Sequence, residues 1–251
     1  MFDYVYKTKP YQHQDQVLKV SWDKENWGFF MEMGTGKSKV CIDTASMLYE
    51  RGEIDTFIVV APKGVYRNWA NIEIPAHMPD RVLEGSTTSV WRPSPTKAVK
   101  EELLSLTRPA TGFRILVMNV EAFSTQKGQR FLEAVLKASN TLLAIDESTA
   151  IKSPKASRTK ALLKLSSLAK YKRILTGFPV TQSPMDLWSQ CRFMDETLLG
   201  ECGNNFFQFQ YRYAVMNKRT MGAHSFNQIV GYRNLEELSG LLKNFSSRVM
   251  K

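Results

Sequence analysis

The sequence is poor in cysteine and has no long apolar run. Its three cysteines, Cys41, Cys191 and Cys202, show no Cys-x-x-Cys spacing, which argues against a structural zinc site and favours a reducing compartment. No apolar stretch approaches the roughly 18 residues that a membrane span requires. The first residues, Met1–Tyr4, lack the charged-then-apolar pattern of a secretory signal. These absences predict a cytoplasmic protein that is neither secreted nor bound in a membrane.

Acidic residues are absent from one long segment. Residues 148–185 carry eight basic side chains and no acidic one, residues 1–147 carry 18 of each sign, and residues 186–251 carry eight basic and six acidic. The net charge of +10 is therefore concentrated in that segment. Clustered positive charge is typical of a surface that binds a polyanion, and a solvated basic helix explains it equally well.

What the sequence does contain is a regular alternation of short apolar runs with helical patterns. The 251 residues are 43% hydrophobic and 23% charged, which is ordinary for a globular domain. The predicted strands are Trp27–Met31, Thr56–Ala61, Arg81–Leu83, Phe113–Asn119, Thr141–Asp146 and Tyr171–Thr176. The predicted helices are Lys37–Arg51, Val65–His77, Pro95–Leu106, Glu121–Ala138 and Pro154–Ala169, the last capped by Ser153. This order predicts an α/β domain with a mostly parallel, doubly wound sheet over residues 1–188.

The pattern changes after Trp188. Residues 206–213 are rich in aromatic side chains, Asn217–Gly222 reads as a polar turn or mobile loop, and a short helix is predicted to start at Leu235. We interpret residues 189–251 as a small helical appendage that packs on the α/β domain. Residues 85–96 are predicted to form a surface loop.

The strongest local signal is a glycine-rich turn between a strand and a helix. It reads Met33-Gly34-Thr35-Gly36-Lys37-Ser38, and this context is what a phosphate-binding loop (P-loop) requires, because its backbone N–H groups and the helix N-terminus face the phosphates. Lys37 would reach the β- and γ-phosphates and the Ser38 hydroxyl would hold Mg²⁺. The first glycine of the usual pattern is replaced by Met31.

A second signal is an acidic pair at the end of a buried strand. Asp146 and Glu147 follow Leu142–Ile145, and the carboxyl ends of parallel strands are where α/β sheets bind ligands. Asp146 is placed to support magnesium, and Glu147 to orient and deprotonate an attacking water. An acidic pair alone is weak evidence, but together with the P-loop it predicts nucleotide hydrolysis.

Two further segments lie at strand ends. Taken alone, Leu175–Pro179 is better explained as a turn. Ala61–Gly64, followed by Asn68 and Trp69, is explained equally well as a capped turn with a core tryptophan. Lys63 and nearby backbone amides have the chemistry to hold a phosphate.

Taken in order, these segments resemble the Swi/Snf-type DNA translocases of helicase superfamily two, specifically the first of their two RecA-like motor lobes. Lys9–Gln12 is similar to the family's upstream glutamine motif, and Glu32–Ser38 to motif I. Ala61–Lys63 with Asn68 and Trp69 resembles motif Ia, and Val117–Val120 motif Ib. Asp146–Lys152 is similar to motif II, and Leu175–Pro179 with Leu187 and Trp188 to motif III and the Leu-Trp downstream of it. The resemblance covers nearly the whole chain.

The resemblance implies ATP and Mg²⁺ as cofactors and DNA, duplex or single-stranded, as partner. It assigns adenine recognition to Gln12, phosphate binding to Met33–Ser38, magnesium to Ser38 and Asp146, and catalysis to Lys37 and Glu147. It also implies coupling by Thr176 and Gly177. Lys63, Arg67, Asn119 and Lys152 are the residues at which we expect DNA contacts. A short phage or bacterial member, associated with the nucleoid, fits the compact sequence.

Two departures concern coupling. Ser148 and Thr149 stand where the family usually has Ala-His, and Phe178 replaces a threonine of motif III. That histidine helps to couple ATP to motif III in relatives, so the sequence predicts a different coupling contact here. Lys37, Asp146 and Glu147 are unaffected.

Nothing after Trp188 resembles the second RecA-like lobe, whose arginine motif completes the ATP site in relatives. Arginine fingers are worth roughly 10³ to 10⁵ in turnover in related chemistry. The chain alone is therefore predicted to bind ATP weakly and to hydrolyse it slowly, if at all. Other functions that fit the motifs are a strand-separating helicase, a restriction-enzyme motor lobe, and a nucleotide- or DNA-binding module without turnover.

Overall fold

A seven-stranded parallel sheet forms the centre of the protein. The computed structural model describes residues 4–221 and 224–251, so Met1–Asp3 lie outside the described residues. The sheet order is β3-β4-β2-β5-β6-β1-β9. Its strands are β1 Asn26–Met31, β2 Thr56–Ala61, β3 Ser86–Val90, β4 Phe113–Asn119, β5 Thr141–Asp146, β6 Tyr171–Thr176 and β9 Ser246–Val249. A separate antiparallel pair consists of β7 Ala214–Met221 and β8 His224–Tyr232.

Helices cover both faces of this sheet. They are α1 Gln12–Ser21, α2 Lys37–Glu50, α3 Tyr66–Asn68, α4 Ile74–His77, α5 Asp80–Leu83, α6 Lys97–Ser105, α7 Gln126–Lys137, α8 Ser157–Ser166, α9 Asp186–Met194, α10 Phe206–Tyr213 and α11 Leu235–Lys243. Two apolar cores result, one on each face. The predicted doubly wound α/β fold is confirmed. Over the described part of the chain, no helix is long and apolar enough to cross a membrane.

The central strands are buried along most of their length; β2 and β5 are nearly continuous apolar runs, whereas β6 also contains Lys172 and Arg173. Every residue of β2 and β6 is buried, as are the first five residues of β5. A strand that is covered on both faces favours apolar residues, because neither of its faces meets water, and the charged Arg173 of β6 is accommodated by hydrogen bonds to backbone carbonyls. Strand prediction therefore agrees with the structure for β1, β2, β4, β5 and β6 to within one residue.

One predicted strand and one predicted loop are wrong. Arg81–Leu83 belongs to the short helix α5, and Ser86–Val90, part of the predicted surface loop, is the edge strand β3 paired with β4. The edge position explains the error, because β3 is half-exposed and needs no apolar run.

Helix boundaries also differ from the prediction. The helix expected from Pro154, with Ser153 as its cap, begins at Ser157 after a turn. The segment Val65–His77 contains a π-helical turn, Trp69–Glu73, between α3 and α4. Residues 121–138 form a 3₁₀ turn followed by α7, not one helix. π-Helical turns are rare and occur frequently at functional sites.

The C-terminal residues contain the predicted helices and, in addition, three strands. Strand β9 returns to the main sheet beside β1, and α9 runs across the predicted boundary at Trp188. The polar turn predicted at Asn217–Gly222 is wrong as far as Met221, because Asn217–Met221 pair within β7. Gly222 lies outside the described residues. The division of the chain at Trp188 stays a prediction.

The basic segment 148–185 is not one surface. Arg173 is fully buried, and its guanidinium donates to the backbone carbonyls of Ser21, Trp22, Lys24, Glu25 and Lys172 at 2.7–3.3 Å. Burial lowers the pKa of Arg173 to about 10.

Lys170 of the same segment pairs with Glu53 at 2.6 Å. Lys155, Lys160 and Lys164 line one shallow cavity of about 390 Å³, with Lys155 in the turn before α8 and the other two on that helix. The segment therefore divides into the buried Arg173, the exposed Lys170 paired with Glu53, and a further exposed part around that cavity.

Candidate functional site

The sheet order brings the three predicted ATP motifs together. Strands β5, β6 and β1 are neighbours, with Asp146 in register with Leu175 and Thr176 in register with Phe30. Because all three strands are parallel, the acidic pair, motif III and the P-loop leave the sheet at the same edge. This is the edge where open α/β sheets bind ligands.

The loop between β1 and α2 has the backbone of a phosphate-binding loop. Gly34 and Gly36 have φ angles of 81° and 87°, and Gly36 is the N-cap of the 14-residue helix α2. The Thr35 hydroxyl donates to the carbonyl of Glu32 at 2.7 Å, which closes the turn. Left-handed φ values aim successive N–H groups into one concavity, and the helix N-terminus adds positive potential there.

Side chains of α1 contact the backbone of this loop. The Gln14 amide donates to the Thr35 carbonyl at 3.0 Å, and the His13 Nε2 lies 2.9 Å from the same oxygen. A Cβ at Gly36 would lie 2.2 Å from the Gln14 Nε2, so close approach adds to the conformational need for glycine.

Gln12, the predicted adenine-reading residue, is exposed at the start of α1. Gln14 is not among the predicted site residues, although its position three residues after the N-cap Tyr11 is a capping signal: its Oε1 accepts from the Tyr11 N–H at 3.0 Å. The helix that carries Gln12 is thereby fixed to the P-loop.

Asp146 is held by a tryptophan of motif Ia. The Trp69 indole Nε1 donates to the Asp146 Oδ2 at 2.8 Å, and the Glu147 backbone N–H donates to Oδ1 at 3.0 Å. Burial raises the pKa of Asp146, while the bond from Trp69 and the charge of Lys37 act in the opposite direction. A carboxylate has about four lone-pair sites, so both oxygens keep acceptor capacity for magnesium-bound water.

The sequence predicts Trp69 as a core residue or as a part of motif Ia, and it does not predict the bond to Asp146. The available signal was chemical, because a buried indole N–H needs an acceptor. Trp69 is 2% exposed.

Glu147 and motif III are in contact. The Thr176 hydroxyl donates to the Glu147 Oε2 at 3.4 Å and accepts from the Phe178 N–H at 3.2 Å. Glu147 itself has a left-handed backbone with φ 47°, a conformation that costs free energy for a non-glycine residue and is enriched at active sites.

The glycine of motif III lies against the P-loop. A Cβ on Gly177 would lie 3.5 Å from backbone atoms of Met31, Glu32 and Met33. The two predicted coupling residues, Thr176 and Gly177, therefore contact the acidic pair and the P-loop respectively.

A buried hydrogen-bond chain provides a second link between motifs II and III. The Ser148 hydroxyl donates to the Gln190 Oε1 at 2.7 Å, and the Gln190 amide donates to the Pro179 carbonyl at 2.7 Å. Ser148 and Gln190 are both fully buried. The Lys152 ammonium donates to Thr181 at 2.7 Å and to Gln182 at 3.2 Å. These bonds occur next to the position where the family's histidine is replaced.

The residues predicted to contact DNA lie at or after the carboxyl ends of strands β2, β4 and β5, with Asn119 the last residue of β4 and Arg67 in α3. Lys63 and Arg67 are exposed, and Asn119 donates to Glu121 at 3.1 Å. Strands β2 and β4 are neighbours, with Ala61 in register with Asn119, so Lys63 and Asn119 follow adjacent strand ends. Lys152 is engaged by the motif III loop and is less free to reach DNA.

Among the described residues no group of three or more His, Cys, Asp or Glu side chains is arranged to hold a metal ion. Magnesium does not need such a cage, since it is commonly bound through one or two carboxylates together with substrate phosphates and water. Asp146 and the Ser38 hydroxyl, at the start of α2, have the chemistry for that mode.

Fold and site together define a P-loop nucleotide-binding lobe whose acidic pair and phosphate loop share one sheet edge. The chain belongs to the SNF2-related domain family, whose model matches residues 13–251. The resemblance found in the sequence is thus confirmed.

Similar proteins include a DNA repair and recombination protein RAD54-like from Danio rerio, 24% identical over 249 residues, which is 92% of this chain and 32% of that protein. The chromatin-remodeling ATPase INO80 of Lodderomyces elongisporus is 30% identical over 175 residues, or 66% of this chain and 10% of that protein. The chain therefore spans about a third or less of the length of these relatives.

Two solved structures share the fold. The Sulfolobus solfataricus SWI2/SNF2 ATPase core in complex with dsDNA matches with a TM-score of 0.70 and 21% identity, covering 99% of this chain and 46% of that one. The UvsW helicase from bacteriophage T4 matches with a TM-score of 0.53 and 10% identity, over 73% of this chain and 58% of that one. At these identities the matches show the fold alone.

Proposed function

We propose that this chain is the first RecA-like motor lobe of a DNA-dependent ATPase that moves along DNA when joined to a second lobe. The observation that carries the proposal is the meeting of the P-loop, Asp146 and Glu147 at the carboxyl edge of β1, β5 and β6. SNF2-related family membership supports ATP use in general, and a neighbour of the same fold is a core in complex with dsDNA.

In this proposal each residue has a separate task. The P-loop amides and Lys37 bind the phosphates, Gln12 contacts the adenine, and Glu147 orients and deprotonates the attacking water. Asp146 and Ser38 would hold Mg²⁺, which supplies charge neutralisation at the phosphates when it is bound. Thr176 and Gly177 transmit the state of the nucleotide to motif III.

The second lobe is needed because this lobe offers only part of an ATP site. In related phosphoryl-transfer chemistry an arginine from another element contributes roughly 10³ to 10⁵ in turnover. We therefore propose that the chain alone binds ATP weakly and turns it over slowly. A cytoplasmic or nucleoid location stays a prediction.

The test separates binding from hydrolysis. A fluorescent ATP analogue is titrated onto the chain and its Lys37→Ala variant, with Lys24→Ala, an exposed lysine before β1, as a charge-matched control. The proposal expects a loss of binding only for Lys37→Ala. In a chain extended by a second lobe, Glu147→Gln should keep ATP binding and lose hydrolysis, whereas Glu133→Gln on α7 should keep both.

If Glu147→Gln hydrolyses ATP as fast as the unsubstituted protein, the assigned catalytic role is wrong. If the extended chain binds ATP but shows no turnover with or without the substitution, a binding module that acts by occupancy replaces the motor.

A further inference from the structure

The hairpin β7–β8 projects from the domain with almost no cover. Only Ala214 of β7 is buried, Val215–Met221 are exposed throughout, and so are Ser225–Gln228 of β8. A strand of eight residues is about 26 Å long. Isolated two-stranded hairpins are marginal in water, so a hairpin of this length with both faces exposed indicates a surface that meets a partner.

The hairpin has charge of only one sign. No Asp or Glu occurs between Glu201 and Glu236, a stretch that contains four arginines or lysines. Arg212 pairs with Glu237, and Arg233 donates to the Tyr211 carbonyl. Lys218 and Arg219 are both exposed. Positive charge without any acidic neighbour is complementary to a polyanion.

The two faces of the hairpin differ in chemistry. Cross-strand pairing places Arg219 opposite Phe226 and Asn217 opposite Gln228, so these four side chains share one face. Guanidinium and amide groups are those that read base edges in a DNA groove, and the major groove accepts a two-stranded ribbon. Lys218 lies on the opposite face with Thr220 and Ser225, whose hydroxyl oxygens are 3.2 Å apart.

The base of the hairpin lies toward the functional edge of the sheet. Helix α11 connects β8 to β9, and β9 runs parallel to β1. A helix that leads into a parallel strand runs antiparallel to that strand, so its first residue lies near the carboxyl ends of the strands. The nine residues of α11 span about 13 Å, which separates the start of the helix from the start of β9. The hairpin therefore emerges on the side that also carries the P-loop, Lys63 and Asn119.

We propose that the β7–β8 hairpin is a second DNA-binding element of this lobe, with the Arg219 face in a groove of duplex DNA. The inference rests on the proposed function, because it takes duplex DNA as the track. It adds a contact outside the motif loops, one that would hold the lobe on DNA independently of nucleotide.

The first test is the salt dependence of duplex binding by the chain, measured by fluorescence anisotropy with a labelled duplex. Each phosphate contact contributes about −0.9 to the slope of log affinity against log salt. Lys218→Gln/Arg219→Gln should flatten the slope by about 0.9, because only Arg219 of the pair lies on the face placed against DNA. The charge-matched control is Lys97→Gln/Lys100→Gln. Both lysines are exposed on α6, near β3, which is the outermost strand on the side of the sheet away from β9, so this variant should leave the salt slope unchanged.

The second test separates base contact from charge. Arg219→Lys keeps the charge and removes the planar fork, so duplex affinity should fall about tenfold with little change in slope. Lys218→Arg, on the other face, should bind as well as the unsubstituted chain.

An unchanged slope in Lys218→Gln/Arg219→Gln, together with a reduced slope in Lys63→Gln/Arg67→Gln, overturns the inference and leaves the proposed function standing. The hairpin cations would then serve to prevent edge-to-edge strand pairing. Absence of duplex binding by the unsubstituted chain would overturn the DNA track itself.

Discussion

The buried hydroxyl of Ser148 donates to the side chain of Gln190 at 2.7 Å, and so joins the residue after the acidic pair to helix α9. Through Gln190 the bond continues to the Pro179 carbonyl of motif III. The sequence departs from its family at Ser148 and Thr149, and the structure provides a contact between motifs II and III at the same place.

The bond between Ser148 and Gln190 should couple the effects of substituting the two residues on stability. Ser148→Ala leaves the Gln190 oxygen buried without a donor and should lower the free energy of unfolding by about 1–3 kcal/mol. Because Ser148→Ala/Gln190→Leu removes both groups on this bond, the two effects should be less than additive. Denaturant unfolding of the unsubstituted chain, the two single variants Ser148→Ala and Gln190→Leu, and the double variant measures the coupling free energy between the two residues.

Ser189→Ala is the matched control, because Ser189 is the neighbour of Gln190 and its buried hydroxyl has no hydrogen-bond partner among the described residues. It should leave stability nearly unchanged. Equal losses for Ser148→Ala and Ser189→Ala would contradict the account of the bond.

Trp69→Phe should weaken the magnesium-dependent part of ATP binding. The substitution keeps an aromatic ring and removes the N–H that fixes the Asp146 carboxylate. Losing a group that orients a metal ligand typically costs 10–100-fold in metal affinity, so ATP binding should need about tenfold more Mg²⁺. Titration of Mg²⁺ at fixed ATP analogue measures the shift.

Trp188→Phe controls for the loss of a buried indole N–H, since its Nε1 donates to the Gly203 carbonyl at 2.9 Å, in the C-terminal part of the chain. Both variants should lose some stability. A similar magnesium shift in both would show that the effect comes from general loosening and not from Asp146.

Arg173→Met should be strongly destabilising. The guanidinium satisfies carbonyls at the end of α1 and in the turn before β1, and its loss leaves several acceptors near the core without donors. We expect a loss of about 3–5 kcal/mol in unfolding free energy.

Lys164→Met makes the same change of charge at an exposed position of α8 and should change stability by no more than about 0.5 kcal/mol. If the two variants are equally stable, Arg173 has no structural role and its charge belongs with the rest of the basic segment.

Asp43 should make stability depend on pH. It is fully buried beside Lys39 at 2.7 Å, and burial raises its pKa to about 6 from an ordinary value of 3.8. The folded state therefore binds a proton that the unfolded state has lost between these pH values, so the contribution of Asp43 to stability falls as pH rises from 4 to 6 and stays low above pH 6.

The stability of the unsubstituted chain relative to Asp43→Asn should accordingly decline by roughly 3 kcal/mol from pH 4 to pH 7. Urea unfolding of both proteins across this range measures it. A difference that rises with pH would mean that the Lys39 pair dominates over burial.

The sequence predicts the residues of this site that are marked by their immediate neighbours, but not the contacts between residues that are far apart along the chain. Lys37 and Asp146 were found because each is marked by its local context, a glycine turn after a strand or an acidic pair at a strand end. Their proximity follows from parallel strands sharing one edge.

The contacts that hold them were not predictable, because they join residues far apart. Trp69 and Asp146 are separated by 77 positions, and Ser148 and Gln190 by 42. Local pattern also failed for β3 and β9, where an edge position removes the need for a continuous apolar run.

We propose that this lobe binds ATP at the P-loop but needs a second lobe for turnover. The most direct measurement is ATP hydrolysis by the 251-residue chain with and without duplex DNA, alongside binding of the ATP analogue. We expect weak binding that depends on Lys37, slow hydrolysis and no stimulation by DNA. Fast, DNA-stimulated turnover by this chain alone would contradict the account.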